Sequence, residues 1–218
     1  MIRVTLPSAP AHYRTSVRIP GEAFLKHNPS PSNKDWSNHA YWRKIHHDLY
    51  KGHRGICVYC SSWTPRAKHS PRGLDHTSVD HFVPKSLAPK KAYEWSNFRL
   101  CRTRLNHKKD NYLDVLDPCT VTDGWFIIDF TTFQIRPAPG LPQAVESSVI
   151  STIDRLQLNV DNDYVDERIA VIREYALDRL SLPQLQSKYP FIAQQIQTQN
   201  FDMQFKVRFR AFFRNAQS

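Results

Sequence analysis

The chain has 218 residues, of which 30 are Lys or Arg and 20 are Asp or Glu, so the formal net charge is +10. With 40% hydrophobic and 12% aromatic residues it can build a core, which excludes a wholly disordered chain. It has no apolar run of the ~18 residues that a membrane-spanning helix needs, and its four Cys are too few for a disulfide scaffold.

The charge is unevenly spread. Residues 1–50 carry net +4, residues 51–111 net +9, and residues 112–218 net −3. All ten His lie at or before His107. The opening stretch, Met1 to Arg14, lacks an apolar segment followed by a cleavage site and does not read as a secretory signal. The expected compartment is therefore reducing and cytoplasmic, with thiols free or metal-bound. A basic segment of this kind fits a polyanionic partner, although basic faces are also simply solvated.

In chain order, residues 1–37 are rich in Pro and Ser and read as an extended arm with short turns. Trp36, Tyr41, Ile45, Leu49 and Tyr50 recur near helical spacing, with Ser37 or Asn38 as the cap, and are expected to pack onto the basic segment. Residues 57–75 read as a turn and a polar loop. Residues 77–84 are β-compatible and end at Pro84, and residues 95–101 offer a second short strand. Arg102 to Tyr112 is helix-compatible, which gives strand, loop, strand and helix in about 40 residues. Residues 124–136 predict a hairpin turning near Thr131 and Thr132, and residues 137–144 a linker. Beyond it the pattern is helical. Asn162 or Asp163 caps a helix whose apolar face is Val165, Ile169, Ile172, Ala176 and Leu180, and Pro183 and Pro190 mark later helix starts or breaks.

The chemistry concentrates on Asp80, His81, Asn97, Asn106 and Lys109. Phosphodiester hydrolysis needs hard oxygen ligands for a divalent cation and a base for the attacking water. Asp80 and the Asn106 amide supply the first, His81 the second. Neighbouring strand residues point to opposite faces, so a bend near Pro84 is expected to bring Asp80 and His81 to one site. The pair Asp75-His76 lacks the apolar-apolar-Pro-Lys sequel and reads as loop. His107 could ligate in place of Asn106, though it points about 100° away on a helix.

The run Val79-Asp80-His81-Phe82-Val83-Pro84-Lys85-Ser86, then Asn97 sixteen residues after His81, then Asn106-His107-Lys108-Lys109, resembles the HNH endonucleases over residues 40–115. Cys57-Val58-Tyr59-Cys60 resembles the Cys pair that often precedes that motif. The resemblance implies an α+β chain: a ββα-metal core at 51–115, an N-terminal arm and helix at 1–50, and a mainly helical extension with a short hairpin at 116–218. It implies one Mg²⁺ or Mn²⁺ on Asp80 and Asn106, His81 as general base, Asn97 as the residue whose amide tethers the loop, and DNA as substrate. Lys85, Arg99, Arg102, Arg104, Lys108 and Lys109 are the expected phosphate contacts.

Zinc-stapled relatives of this type carry a second Cys pair where this chain has Arg102 and Leu105. Cys57 and Cys60 alone are half of a tetrahedral zinc site, which Cys101 with Cys119, or His69 with His76, would complete. Cys packing at a turn is the alternative. Residues 152–159 with Glu167 and Arg168 resemble the helical extension of some bacterial nucleases, including anti-phage effectors. A regulatory protein partner or a homodimer is compatible with that, and no membrane contact is expected. Two other readings use the same residues: a nucleic-acid-binding module that no longer cleaves, and a zinc-binding adaptor.

Overall fold

The computed structural model describes residues 1–66, 75–160, 162–200, 206–207 and 209–212. It is an α+β chain with two small antiparallel sheets and no helix long and apolar enough to cross a membrane among the described residues.

The N-terminal arm is largely helical, which corrects the extended reading. A π-helical turn, Arg14–Arg18, runs into α1 (Ile19–His27), with Pro20 in its first turn where no backbone N–H is needed. α2 (Asn33–Asn38) starts one turn earlier than expected. Ser32 and Asp35 form a reciprocal capping box, so Ser37 and Asn38 lie inside the helix rather than at its cap. A 3₁₀ turn (Tyr41–Ile45) then leads into α3 (His46–Gly52).

β1 (Thr77–His81) pairs with β2 (Phe98–Arg102), with Asp80 opposite Arg99 and His81 opposite Phe98. α4 (Thr103–Lys109) follows at once. The second hairpin joins β3 (Phe126–Ile128) to β4 (Ile135–Pro137), and its turn places Thr131 N–H on the Asp129 carboxylate. Then come α5 (Gln143–Arg155), α6 (Asn162–Ala176), α7 (Leu182–Lys188) and α8 (Pro190–Thr198). Ser181 and Gln184 box the start of α7, and Pro183 and Pro190 fall in the first turns of α7 and α8.

Two apolar clusters flank the first hairpin. One joins Tyr13, Val17, Trp36, Ile45, Leu49 and Tyr93 to Phe98 and Leu100 of β2. The other joins the Cys57–Tyr59 turn, Cys101 and Leu105 to the second hairpin and the C-terminal helices. The hairpin is therefore shared between both cores: the first crosses the boundary drawn at residue 50, and the second, which also takes in Met1, crosses those at both 50 and 115.

Candidate active site

A cleft of about 930 Å³ runs along β1, all five of whose residues line it. From Ser78 onward the outer edge of β1 has no strand partner among the described residues. Side chains from both faces of β1 therefore reach the cleft at that edge. The strand still alternates, and the chain bends at Phe82 and Val83, just before Pro84, with both Asp80 and His81 lining the cleft.

Asp80 is 3% exposed. One carboxylate oxygen accepts the Tyr59 hydroxyl at 2.6 Å and the other accepts the Lys109 ammonium at 3.3 Å. Lys109 is fully buried and also donates to the His81 carbonyl at 3.1 Å. Burial first, and then the Asp80 charge, push the Tyr59 hydroxyl pKa well up, so it stays a donor.

His81 lies on the opposite face, with Trp42 edge-on at 4.6 Å and Phe98 at 5.5 Å between ring centroids. Its Nε2 is 2.9 Å from the Ala92 carbonyl. A carbonyl only accepts, so Nε2 carries the proton and Nδ1 keeps the lone pair. Burial, joined by Lys85 and Lys109 and opposed by the Ala92 bond, lowers the ring pKa to about 3. The imidazole is neutral at physiological pH, the form a base requires.

Asn106 projects from α4 and spends its amide nitrogen on Ser78 Oγ at 3.2 Å and the Val79 carbonyl at 3.4 Å. The amide oxygen remains for a ligand. Asn97 spans the loop between the strands: its oxygen accepts Val83 N–H at 2.7 Å, and its nitrogen donates to the Val83 and Lys91 carbonyls. It positions His81 indirectly, because the loop it ties also carries Ala92. Asp75-His76 has local work: the Asp75 carboxylate accepts His76 and Arg104 N–H groups, and the His76 carbonyl accepts Thr103 N–H. The pair thereby sets the start of α4 beside β1. His76 and the exposed His107 also line the cleft.

The donor set suits a small hard cation. Mg²⁺ takes one or two protein oxygens and keeps several waters, and Asp80 with Asn106 offers one carboxylate and one amide oxygen. The carboxylate oxygen facing Lys109 retains a second lone pair. No group of three or more His, Cys, Asp or Glu able to hold a metal occurs among the described residues, and a site of this composition would not form one.

At the turn, the Cys57 and Cys60 thiols interact electrostatically with each other, and Cys57 Sγ accepts Arg102 N–H at 3.3 Å. Burial pushes the Cys57 thiol well up. It acts the same way on Cys60, but the interaction with the Cys57 thiol and the Arg102 charge outweigh it and bring Cys60 to about 7. Cys101 contacts Ser78 Oγ, and the Cys119 N–H bonds to Asp117. Of the remaining candidate zinc ligands, His76 is at the cleft and His69 lies outside the described residues.

The expected phosphate contacts divide sharply. Arg99 is 4% exposed and grips Asp117 with two hydrogen bonds, at 2.9 and 2.6 Å. Arg102 is 9% exposed and grips Glu167 of α6 at 2.6 and 2.7 Å. With Lys109 on Asp80, these three are internal ion-pair partners, which corrects their assignment to a DNA-facing surface. Arg104 and Lys108, one turn apart, both sit over the Tyr164 ring of α6 and do not line the cleft. Lys85 alone of the six lines it, 5.7 Å from the centroid of Trp42. At the C-terminal end, Lys206 and Arg210 both pair with Asp178, while Arg208 and Arg214 lie outside the described residues.

Tyr59, Trp42, Arg43 and His46 belong to the site without having been singled out for it. Tyr59 had a local signal, its place between the two Cys. The other three come from the 3₁₀ turn and α3, whose approach to β1 is a tertiary event. No protein-family model matches the chain, and no curated protein matches it. The family resemblance therefore rests on the motif residues themselves.

Proposed function

We propose that the chain is a metal-dependent, HNH-type endonuclease that hydrolyses DNA phosphodiester bonds. The observation that carries this reading is the convergence of Asp80, His81 and Asn106 on one cleft, with the His81 tautomer set by the Ala92 carbonyl. A single Mg²⁺ or Mn²⁺ on the Asp80 carboxylate and the Asn106 amide oxygen would offset the charge of the scissile phosphate and of the leaving 3′ oxygen.

The protein's own residues do the rest. Tyr59 and Lys109 hold the Asp80 carboxylate in one orientation. Ser78 and the Val79 carbonyl turn the Asn106 oxygen outward. His81 Nδ1 accepts a proton from the attacking water, while the bond from Nε2–H to Ala92 offsets part of the charge the ring then gains. A base at about 3 is weak, and the anionic phosphodiester arriving beside it raises its affinity for a proton. By resemblance, the products end in 5′-phosphate and 3′-hydroxyl.

Plasmid cleavage tests the reading, with Mg²⁺, Mn²⁺ or EDTA, for wild type and His81→Ala. Cutting should require the metal and fall about 10²- to 10⁴-fold in the variant. A wild type inert with both metals, or a variant that cuts as well, would sink it.

A further inference from the structure

Three of the six expected phosphate contacts are buried in ion pairs and two face Tyr164, so the cleft needs another source of positive charge. Two cations line it, Arg43 from the 3₁₀ turn and Lys85 from the loop after β1. Neither side-chain cation has a hydrogen-bond or ion-pair partner among the described residues, in contrast to those of Arg99, Arg102 and Lys109. Both are close to Trp42 in the fold: Arg43 follows it in the chain, and the Lys85 ammonium stands 5.7 Å from its ring centroid. Trp42 packs against His81, and Lys85 and Arg43 line the same cleft.

Lys85 is half-buried, and burial lowers its pKa despite the attraction of Asp80 and Asp110. A half-buried cation left uncompensated costs stability unless an anion arrives from outside. The acidic groups nearby do not supply one. Asp80 is already matched by Lys109, and Asp110 lies on the α4 side without an ion pair to Lys85. His46 does not add charge, since its Nε2 bonds to Thr77 and burial, with Arg66 nearby, lowers its pKa.

We propose that Arg43 and Lys85 form the phosphate-binding rim of the cleft, holding backbone phosphates of nucleic acid that neighbour the one above Asp80 and Asn106. The reading of the cleft as a nuclease site says which phosphate lies at the centre, and the rim rests on it in that respect only. The N-terminal helical region thereby becomes one wall of the substrate site, and the outer face of α4 becomes a joint to α6.

The test is equilibrium binding of a short labelled DNA duplex in EDTA across rising KCl, with no cleavage involved. Each phosphate contact contributes roughly 0.9 to the slope of log K against log salt. The Arg43→Gln/Lys85→Gln double variant should therefore flatten the slope by about two and weaken binding about 10- to 100-fold near 0.1 M salt. Arg43→Lys/Lys85→Arg should restore the slope, and Arg104→Gln/Lys108→Gln should leave it as in wild type. A Gln double variant with the wild-type slope, a charge-conserving variant that fails to restore it, or an α4 variant that flattens it as much would overturn the proposal, as would a wild type that does not bind the duplex. Inorganic phosphate that displaces the duplex at about its own free-ion affinity would also overturn it, since the rim then holds isolated phosphate rather than a chain. A protein that binds with the expected slopes but cuts nothing in Mg²⁺ or Mn²⁺ sinks the nuclease reading and leaves the rim standing.

Discussion

The two faces of the β1–β2 hairpin solve the same problem by different means. On one face His81 is held by Trp42, Phe98 and a single hydrogen bond to Ala92, inside an aromatic cluster supplied by the N-terminal helices. On the other, Asp80 is held by Tyr59 and Lys109, with Arg99 bound to Asp117 alongside. The apolar face keeps an imidazole neutral by withholding water. The polar face keeps a carboxylate buried by surrounding it with donors. Because strand side chains alternate, adjacent residues obtain opposite environments without any insertion between them.

The polar face should be the more fragile under substitution, and the largest effect is expected there. Lys109→Met leaves Asp80 buried, with the Tyr59 hydroxyl still donating to one carboxylate oxygen and the ammonium gone from the other. Breaking one side of a buried pair typically costs about 3–5 kcal/mol, or roughly 10 °C in the melting temperature of a chain this size. Asp80→Asn added to Lys109→Met should recover much of that loss, because the orphaned charge is then removed. Thermal melts of both variants decide it. A single variant that melts like wild type would mean that the carboxylate is not held by this pair.

The N-terminal wall has its weakness in acid. His53 follows α3, and burial, assisted by the Arg99 charge, lowers its pKa to about 4 from the usual 6.5. In the unfolded chain the ring takes a proton near 6.5, and in the folded protein only near 4. Its neutrality therefore supports the fold fully above 6.5, and that support is lost as pH falls from about 6.5 to 4, by about 3 kcal/mol at most. Melting temperature measured across that window should drop, and His53→Leu should flatten the drop. An equal slope in the variant would remove His53 as its source.

What was legible in the chain follows from the range of the interactions. The hairpin and α4 are written locally, in the alternation around Val79 and the turn residues near Asn97. Pro183 and Pro190 likewise mark helix starts through their own covalent geometry. The tether made by Asn97 and the orientation of Asn106 also follow from residues nearby in the same ββα unit. The fate of the basic residues was not legible. Asp117 is 18 residues from Arg99, Asp80 is 29 from Lys109, and Glu167 is 65 from Arg102. Nothing local distinguishes a Lys or Arg that awaits such a partner from one that awaits DNA. The helical segment at residues 14–27 was hidden for a related reason: the face of Val17, Gly21 and Phe24 is short, broken by Gly21, and packs against Tyr93, far along the chain.

That packing supplies the smallest of the expected effects and the one that links the apolar face to the base. Gly21, in the first turn of α1, lies so close to Tyr93 that a Cβ there would stand 2.2 Å from the ring. Gly21→Ala gains up to about 1 kcal/mol of helix propensity, less near a helix end. Forcing the ring aside costs about 1–3 kcal/mol, and the clash wins because Tyr93 is tied at both ends. Its hydroxyl donates to the His39 carbonyl, and its own carbonyl accepts the Tyr13 hydroxyl. Ala92, whose carbonyl sets the His81 tautomer, is the adjacent residue, and Trp42 packs on the Tyr93 ring. A displaced Tyr93 should therefore lower the melting temperature by a few degrees, alter the near-UV circular dichroism of the aromatic cluster, and reduce cleavage without weakening duplex binding in EDTA. A variant with altered aromatic signals but undiminished cleavage would show that the His81 environment tolerates movement of the cluster, and that the Ala92 bond alone is enough to hold the base.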